Sequence, residues 1–225
     1  MGKNIVEKID DLVDVRHILI SVSDKMGLDN FIPRLRKIKP GAFIYSTGGS
    51  YNTIKSILGK AGSTCLRQVS QYTGQPETQG GLVKTLDFKI YLGLLTERYN
   101  EDHQADLRRT GAVSIDMVIG NLYPFKETIS KEGVTVEEAR GNIDIGGPCM
   151  IRAAAKNFIR VASVVDPKDY DTILSDMTTH NGSISLQLRF QLAKKAFDHT
   201  AAYDRTIADF LAGQSIADAR KCYQN

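Results

Sequence analysis

Short apolar runs alternate with amphipathic stretches along the first third of the chain. Residues 18–22, 42–45 and 65–69 are short and mostly apolar, a pattern that is typical of buried strands. Between them, residues 28–38 and 51–58 repeat apolar positions at the spacing of a helix. We therefore predict that the fold begins with a βαβαβ unit.

The rest of the chain continues this alternation. Residues 90–95 and 115–119 predict two further strands separated by a polar helix over 101–109, and residues 161–165 predict another strand. The strands are almost continuously apolar, which favours a mostly parallel sheet with helices on both faces, a doubly wound α/β fold. Residues 185–212 predict one long amphipathic helix that packs across the sheet or against a partner subunit.

Length and composition are those of one compact domain. The chain has 225 residues, of which 42% are hydrophobic, enough for a full core. No linker rich in Pro, Gly or Ser divides it. We expect residues 1–15 to form an N-terminal extension, disordered over about the first ten residues, and residues 16–225 to form a single domain.

Charge and cysteine content limit the partners and the compartment. The net charge of +3 is spread along the chain and forms no basic stripe, so we expect no nucleic-acid binding, whereas a small anionic substrate fits. The three cysteines are odd in number and far apart, which favours a reducing compartment. Because the sequence contains no apolar signal core and no run of about 18 apolar residues, we expect a cytoplasmic protein without membrane contact.

Common cofactor signatures are missing from the sequence. It contains neither the glycine-rich dinucleotide fingerprint nor a P-loop, and the spacing of its four histidines does not suit a metal. We therefore expect no cofactor and no metal. The remaining candidates are polar, glycine-rich turns at the ends of strands, where open α/β sheets bind ligands.

Two of these turns join a strand to a helix in consecutive βα units. Free N–H groups at a helix N-terminus favour an anion, and glycines let the main chain approach it closely. Alone, the first turn could be an ordinary N-cap and the second a tight turn, but together they favour one shared phosphate site. The predicted binding residues are Ser21, Ser23, Lys25, Ser46, Thr47, Gly48 and Gly49.

Three later segments carry candidate catalytic groups. Lys84 lies among apolar residues and glycines, where a lysine is either an electrostatic catalyst or a side chain that reaches for solvent. Tyr123 ends a strand before a proline and could serve only in packing. Asp144 precedes a helix N-terminus marked by two glycines and a proline, and Lys156 follows within that helix. Alternatively, Asp144 is only a helix cap and Lys156 only a surface charge.

The segments STGG, VKT, NLYPF, IDIGG and RAAAKN, in this order, resemble the cyclohydrolase domain of the bifunctional AICAR transformylase/IMP cyclohydrolase family. The similarity runs from about Arg16 to about Leu211 and includes LAKKAFDHTAAYD in the late helix. STGG alone also occurs across the wider methylglyoxal-synthase-like fold. The resemblance implies that fold for residues 16–225, and a homodimer.

The implied activity is that of a hydrolase acting on cyclic amidines. It closes FAICAR to IMP with loss of water, the last step of de novo purine biosynthesis, without a cofactor. In the family, a larger transformylase domain follows the late helix, whereas this chain ends at Asn225. We therefore expect a cyclohydrolase that works with a separate transformylase.

The resemblance also implies residue roles. Lys84 and Tyr123 would polarise the formyl oxygen, while Asp144 and Lys156 would move protons to and from the attacking nitrogen and the departing water. The two strand-end turns would hold the nucleotide and its phosphate. Further neighbours of the substrate are Thr85, Asn121, Ile145, Gly146 and Gly147, the last three through backbone N–H groups.

One position departs from the family pattern. The family usually reads GRVKTLHP where this chain reads GLVKTLDF, so Leu82 replaces an arginine. Losing that cation should weaken substrate binding and raise KM unless Lys89 compensates.

Two alternatives remain open. A methylglyoxal-synthase-like lyase acting on a triose phosphate would need an Asp/His pair, but His17 and His103 lie outside the strand-end motifs. A non-catalytic nucleotide-sensing domain would not need the four catalytic positions.

Overall fold

The fold is built on a parallel β-sheet of five strands. A computed structural model describes residues 5–76 and 83–224. In the sheet the strands lie in the order β4-β3-β2-β5-β6, and a separate antiparallel pair joins β1 to β7. The strands of the described chain are β1 (Leu12–Asp14), β2 (His17–Val22), β3 (Phe43–Ser46), β4 (Leu66–Gln68), β5 (Met117–Asn121), β6 (Ala162–Val164) and β7 (Ser183–Ser185).

Helices connect these strands and cover the sheet. The described helices are α1 (Leu28–Ile38), α2 (Gly48–Leu58), α3 (Gly62–Cys65), α4 (Val69–Thr73), α5 (Phe88–Leu95), α6 (Glu101–Thr110), α7 (Phe125–Ile129), α8 (Val136–Gly141), α9 (Gly146–Lys156), α10 (Tyr170–Thr179), α11 (Leu186–Ala212) and α12 (Ile216–Arg220). Short 3-10 helices occupy Gly59–Ala61 and Pro167–Asp169. No helix within the described residues combines the length and apolar character needed to cross a membrane.

The strand order places a topological switch point in the middle of the sheet. From β2 the chain adds β3 and β4 on one side and then returns to add β5 and β6 on the other. All pairings in this sheet are parallel. The loops after β2 and β5 therefore diverge at the carboxyl edge, where doubly wound sheets bind ligands.

Side chains of the central strands alternate between two buried layers. Ile18 and Ile20 of β2 are fully buried and belong to a core shared with α1, α2 and α10. Leu19, between them, points into a second core shared with α4, α5 and α9. Period-two alternation with apolar residues on both faces is expected for a strand covered on both sides. The predicted doubly wound α/β fold is confirmed.

Two local predictions need correction. Residues 90–95, predicted as a strand, form most of α5, because the Asp87 carboxylate caps this helix by accepting from the Lys89 N–H at 2.7 Å. Short apolar runs do not separate a buried strand from a buried helix. The predicted N-terminal extension also joins the fold before Arg16, because β1 pairs with β7. The buried Arg189 guanidinium of α11 donates to the Asp10 carbonyl at 2.7 Å and so anchors the residues before β1.

Candidate active site

A cavity of about 370 Å³ opens at the carboxyl edge of the sheet, over the switch point. Its walls come from the turns that follow β2, β3 and β5, from residues 84–86, and from the segment that joins α8 to α9. All of the predicted site residues line this cavity except Ser46 and Lys156. The position is the one expected for ligand binding in an open α/β sheet.

One corner of the cavity, the anion corner, is formed by the N-terminus of α2, a position that suits an anion. Thr47 is the N-cap residue but makes no side-chain cap; its hydroxyl instead pairs with the Ser21 hydroxyl at 2.8 Å. Gly48 has a φ of +42°, which favours glycine. A Cβ on Gly48 would lie 3.8 Å from the Lys84 Nζ. On Gly49 a Cβ would lie 3.7 Å from the Lys25 Nζ. Two ammonium groups thus flank a helix N-terminus.

Two predicted binding residues serve the scaffold of this corner. Ser46 is fully buried, and its hydroxyl donates to the Ile20 carbonyl at 2.7 Å, so it ties β3 to β2. The Asn121 amide oxygen accepts from the Ser23 and Asp24 N–H groups at 2.6 and 2.9 Å, while its NH₂ donates to the Asp24 carbonyl at 2.9 Å. Asn121 therefore clamps the turn after β2.

Asp144 supplies the carboxylate of the cavity. Its Oδ1 accepts from the Gly147 N–H at 2.8 Å, so Asp144 does cap α9 as the alternative interpretation held, while its side chain also lines the cavity. Burial raises the pKa of this carboxyl above its ordinary value, against the opposing effects of hydrogen bonds from the Gly147 and Tyr123 N–H groups and of the Lys84 charge.

Gly146 and Gly147 allow the close packing around this carboxylate. A Cβ on Gly147 would lie 2.5 Å from the Asp144 Oδ2 and 2.8 Å from the Leu122 Cδ2, both closer than atoms tolerate. On Gly146 a Cβ would lie 3.1 Å from the hydroxyl of the buried Thr85. Gly147 is therefore required by contact rather than by backbone conformation, and a Cβ on Gly146 would make a tight contact.

Three of the four predicted catalytic residues meet in this cavity. Lys84, Tyr123 and Asp144 all line it, and the Tyr123 side chain is 49% exposed, so its phenol is open to a ligand. Lys156 is exposed in the last turn of α9. Because a helix rises about 1.5 Å per residue, Lys156 lies about 15 Å along the axis from the helix N-terminus at the cavity. The structure does not bring it together with the other three in one chain.

The predicted substitute for the missing arginine lies elsewhere. Leu82 is outside the described residues. Lys89 is in the first turn of α5, where its Nζ donates to the Tyr72 carbonyl at 3.5 Å and lies 5.8 Å from the centre of the Tyr72 ring. Lys89 does not line the cavity, so its position gives no support to the predicted compensation.

One residue at the site was missed by the sequence analysis. The Tyr203 hydroxyl, from the middle of α11, accepts a hydrogen bond from the Asp144 main-chain N–H at 2.8 Å. Its only signal in the sequence was its place in the LAKKAFDHTAAYD segment, which carried part of the family resemblance. Nothing in that segment indicates the contact, because 59 residues separate the two partners.

The described residues offer no evident ligand set for a metal. Among residues 5–76 and 83–224, no group of three or more His, Cys, Asp or Glu side chains is arranged to hold an ion. The described walls of the cavity offer two ammonium groups, a phenol, a partly buried carboxylate and helix N–H groups.

Comparison with known proteins identifies two families along the chain. Residues 27–149 match the MGS-like domain, and residues 154–224 match the AICARFT/IMPCHase bienzyme. The bifunctional purine biosynthesis protein PurH of Thermoanaerobacter sp. (strain X514) is 51% identical over 193 residues, which cover 86% of this chain and 36% of the relative. PurH of Bacillus subtilis (strain 168) is 49% identical over 88% of this chain and 37% of the relative.

A solved structure agrees with these matches. The crystal structure of ForH superposes with a TM-score of 0.77 at 29% identity and covers 89% of this chain and all of that chain. The chain spans little more than a third of the length of the curated relatives that it matches. The resemblance drawn from the five sequence segments is confirmed, and the chain belongs to the MGS-like domain family, with the cyclohydrolase part of the AICARFT/IMPCHase bienzymes as its relatives.

Proposed function

We propose that this chain is an IMP cyclohydrolase that closes FAICAR to IMP. The observation that carries the proposal is the convergence of Lys84, Tyr123 and Asp144 on one cavity that also contains a helix N-terminus flanked by two lysines. A phosphorylated imidazole needs both parts, because its phosphate anchors one end while ring closure occurs at the other.

The anion corner would take the phosphate. The N–H groups at the start of α2 and the ammonium groups of Lys25 and Lys84 would surround it. The imidazole would then extend toward Asp144, on the wall formed by the segment between α8 and α9. Backbone N–H groups of Ile145, Gly146 and Gly147 are its predicted neighbours.

Ring closure itself needs no outside reactant. The carboxamide nitrogen attacks the formyl carbon and loses one proton, the formamide nitrogen loses a second, and the formyl oxygen leaves with both as water. Since both reacting groups belong to one molecule, orientation supplies much of the acceleration. Lys84 and Tyr123 would stabilise the negative charge that develops on the formyl oxygen.

Asp144 would accept the proton from the attacking nitrogen. A carboxylate whose pKa is raised by burial is a stronger base than an exposed one, because its pKa lies closer to neutral pH. Lys156 remains a predicted partner in proton transfer on the strength of the resemblance alone, and Lys156→Ala in the assay below tests it.

The contacts of the histidines disfavour the lyase alternative. His17 lies at the opposite end of β2 from the cavity and pairs with the Ser114 carbonyl, and His103 accepts from the Glu97 N–H. Among the described residues, no histidine lines the cavity. An Asp/His pair at the phosphate site is therefore not available.

The remaining expectations are proposals of the same kind. A homodimer through α11 is supported by Phe190 and Phe197, which are seven positions apart on one face of the helix and are 46% and 39% exposed. A cytoplasmic location and the absence of nucleic-acid partners rest on the sequence alone. Light scattering that gives a monomeric mass at high protein concentration would remove the dimer.

The test is an assay with defined substrates. The purified chain is mixed with FAICAR and IMP formation is followed by absorbance, in parallel with an assay for methylglyoxal formation from a triose phosphate. We expect IMP alone, with kcat about 100-fold lower in Lys84→Ala and Tyr123→Phe. No IMP from the wild-type chain would refute the proposal, and methylglyoxal would favour the lyase.

A further inference from the structure

We infer that Tyr203 is a positioning residue that holds Asp144 in its catalytic geometry, an inference that rests on the proposed cyclohydrolase function. The phenol of Tyr203 accepts from the Asp144 main-chain N–H at 2.8 Å. Tyr203 does not line the cavity, so it can affect catalysis only through the residues that it contacts, of which Asp144 is the one that lies in the cavity.

The segment that carries Asp144 is tied to α8 only at its start, where the Asn142 and Ile143 N–H groups donate to the Ala139 and Arg140 carbonyls. Residues 142–145 lie between α8 and α9 in neither helix nor strand. Two other hydrogen bonds reach Asp144, from the N–H groups of Gly147 and Tyr123, and both end on its carboxylate. The bond from Tyr203 fixes the main chain at the residue itself, which the other two do not.

Tyr203 is well placed to act as a fixed point. It lies in the middle of the 27-residue helix α11, which packs along α9 and β6. Its ring meets the ring of the buried Phe125 edge to face, with centroids 6.1 Å apart and planes at 68°. Because Phe125 follows Tyr123 by two residues, one aromatic contact relates Tyr203 to the turn that carries the catalytic phenol.

Loss of the hydroxyl should therefore act on the chemical step more than on binding. Without its acceptor, the Asp144 N–H would turn toward water, and the carboxylate would move relative to the attacking nitrogen. Displacements of about 1 Å at a reacting group can cost about 100-fold in rate. The anion corner is built on the turns after β2 and β3. Among the residues that the structure describes, Tyr203 makes no hydrogen bond to these turns, so KM should change little.

The chain contains a matched control. The Tyr72 hydroxyl accepts from the Val113 main-chain N–H at 2.9 Å, the same kind of bond, in the core beneath α5 and away from the cavity. Tyr72→Phe and Tyr203→Phe thus remove equivalent interactions. If Tyr203 served only the structure, Tyr203→Phe would affect kcat no more than Tyr72→Phe does.

The experiment compares the two variants by kinetics and by amide hydrogen exchange. We expect Tyr203→Phe to lower kcat about 10-fold or more with KM within about twofold, and to raise the exchange rate of the Asp144 amide about 10-fold or more. We expect Tyr72→Phe to keep kcat and to leave Asp144 protected. In the Asp144→Asn background, adding Tyr203→Phe should not lower the residual rate further, because the two residues act as one unit.

Each outcome decides a separate point. Unchanged exchange at Asp144 in Tyr203→Phe overturns the inference, and so does faster exchange with an unchanged kcat. Equal loss of kcat in both tyrosine variants reduces Tyr203 to a structural residue. A wild-type chain that makes no IMP refutes the proposed function instead, and the exchange rate then still decides whether Tyr203 holds Asp144.

Discussion

Gly147 and Asp144 are packed so closely that no side chain fits between them. The position of a Cβ on Gly147 lies 2.5 Å from the Asp144 Oδ2, and the Gly147 N–H donates to the other carboxylate oxygen at 2.8 Å. One residue thus binds the carboxylate through its main chain and leaves room for it by lacking a side chain. The position of the carboxylate in the cavity depends on both properties.

Gly147→Ala should therefore displace the carboxylate. We expect kcat to fall about 10-fold or more, because either Asp144 or the start of α9 must shift to relieve the contact. Gly41→Ala is the control, since a Cβ there meets nothing within 4 Å. Steady-state kinetics of both variants test this, and an unchanged kcat in Gly147→Ala would show that the segment yields without consequence.

Asp144→Asn should separate catalysis from stability. Because burial raises the pKa of this carboxyl, the folded state binds a proton more readily than the unfolded state, so stability falls as the pH rises through that pKa. At neutral pH the ionised Asp144 is therefore a cost to folding, which a neutral amide avoids while its oxygen still accepts from the Gly147 N–H. We expect kcat to fall about 100-fold or more and Tm at pH 7 to stay level or rise.

The difference in stability between wild type and Asp144→Asn should disappear at low pH, where Asp144 is protonated in both the folded and the unfolded state. Thermal melts of wild type and Asp144→Asn from pH 3 to pH 8 measure the difference. A variant that is less stable than wild type at pH 7 but equal to it at pH 3 would contradict the direction of the pKa shift.

The sequence predicted the sheet better than the contacts within the site. The strand near Ile18 and the helix Leu28–Ile38 follow from apolar periodicity, which the structure confirms. The strand predicted over residues 90–95 was wrong, because a helix that is buried on several sides does not show the apolar periodicity of a surface helix. The strand-end turns were found because glycines and hydroxyls mark them locally.

Long-range partners leave no comparable mark in one sequence. Asn121 was predicted as a neighbour of the substrate, and it lines the cavity, but no local pattern indicates that its amide oxygen accepts from the Ser23 N–H, 98 residues away. Tyr203 was not predicted at all. A residue type shows what a side chain can bond to, but only the folded chain shows which partner it meets.

Asn121→Ala should weaken the turn after β2. The change leaves the N–H groups of Ser23 and Asp24 and the Asp24 carbonyl without these partners. Since a net hydrogen bond contributes about 1 kcal/mol and water replaces part of it at this exposed turn, we expect Tm to fall by about 3–6 °C. KM should rise while kcat changes less, because the Asp144 wall is intact. An unchanged KM with a lower Tm would limit Asn121 to folding.

Lys25→Met should raise KM selectively. Lys25 extends over the N-terminus of α2, where its Nζ donates to the Ser23 carbonyl at 3.1 Å and lies 3.7 Å from the Cβ position of Gly49. A charge-assisted hydrogen bond to a phosphate contributes about 1.5–3 kcal/mol, which corresponds to about 10-fold or more in KM. Methionine keeps most of the length of the lysine side chain without its charge, so packing changes little.

The control for Lys25→Met is Lys55→Met, which removes an exposed charge from the last turn of the same helix. Both variants change the net charge equally, so a nonspecific electrostatic effect would raise KM in both. We expect the rise only in Lys25→Met, and we expect it to shrink at high salt, because salt screens the attraction between phosphate and lysine in the wild type. If KM for FAICAR rises equally in both variants, the phosphate does not bind at the N-terminus of α2.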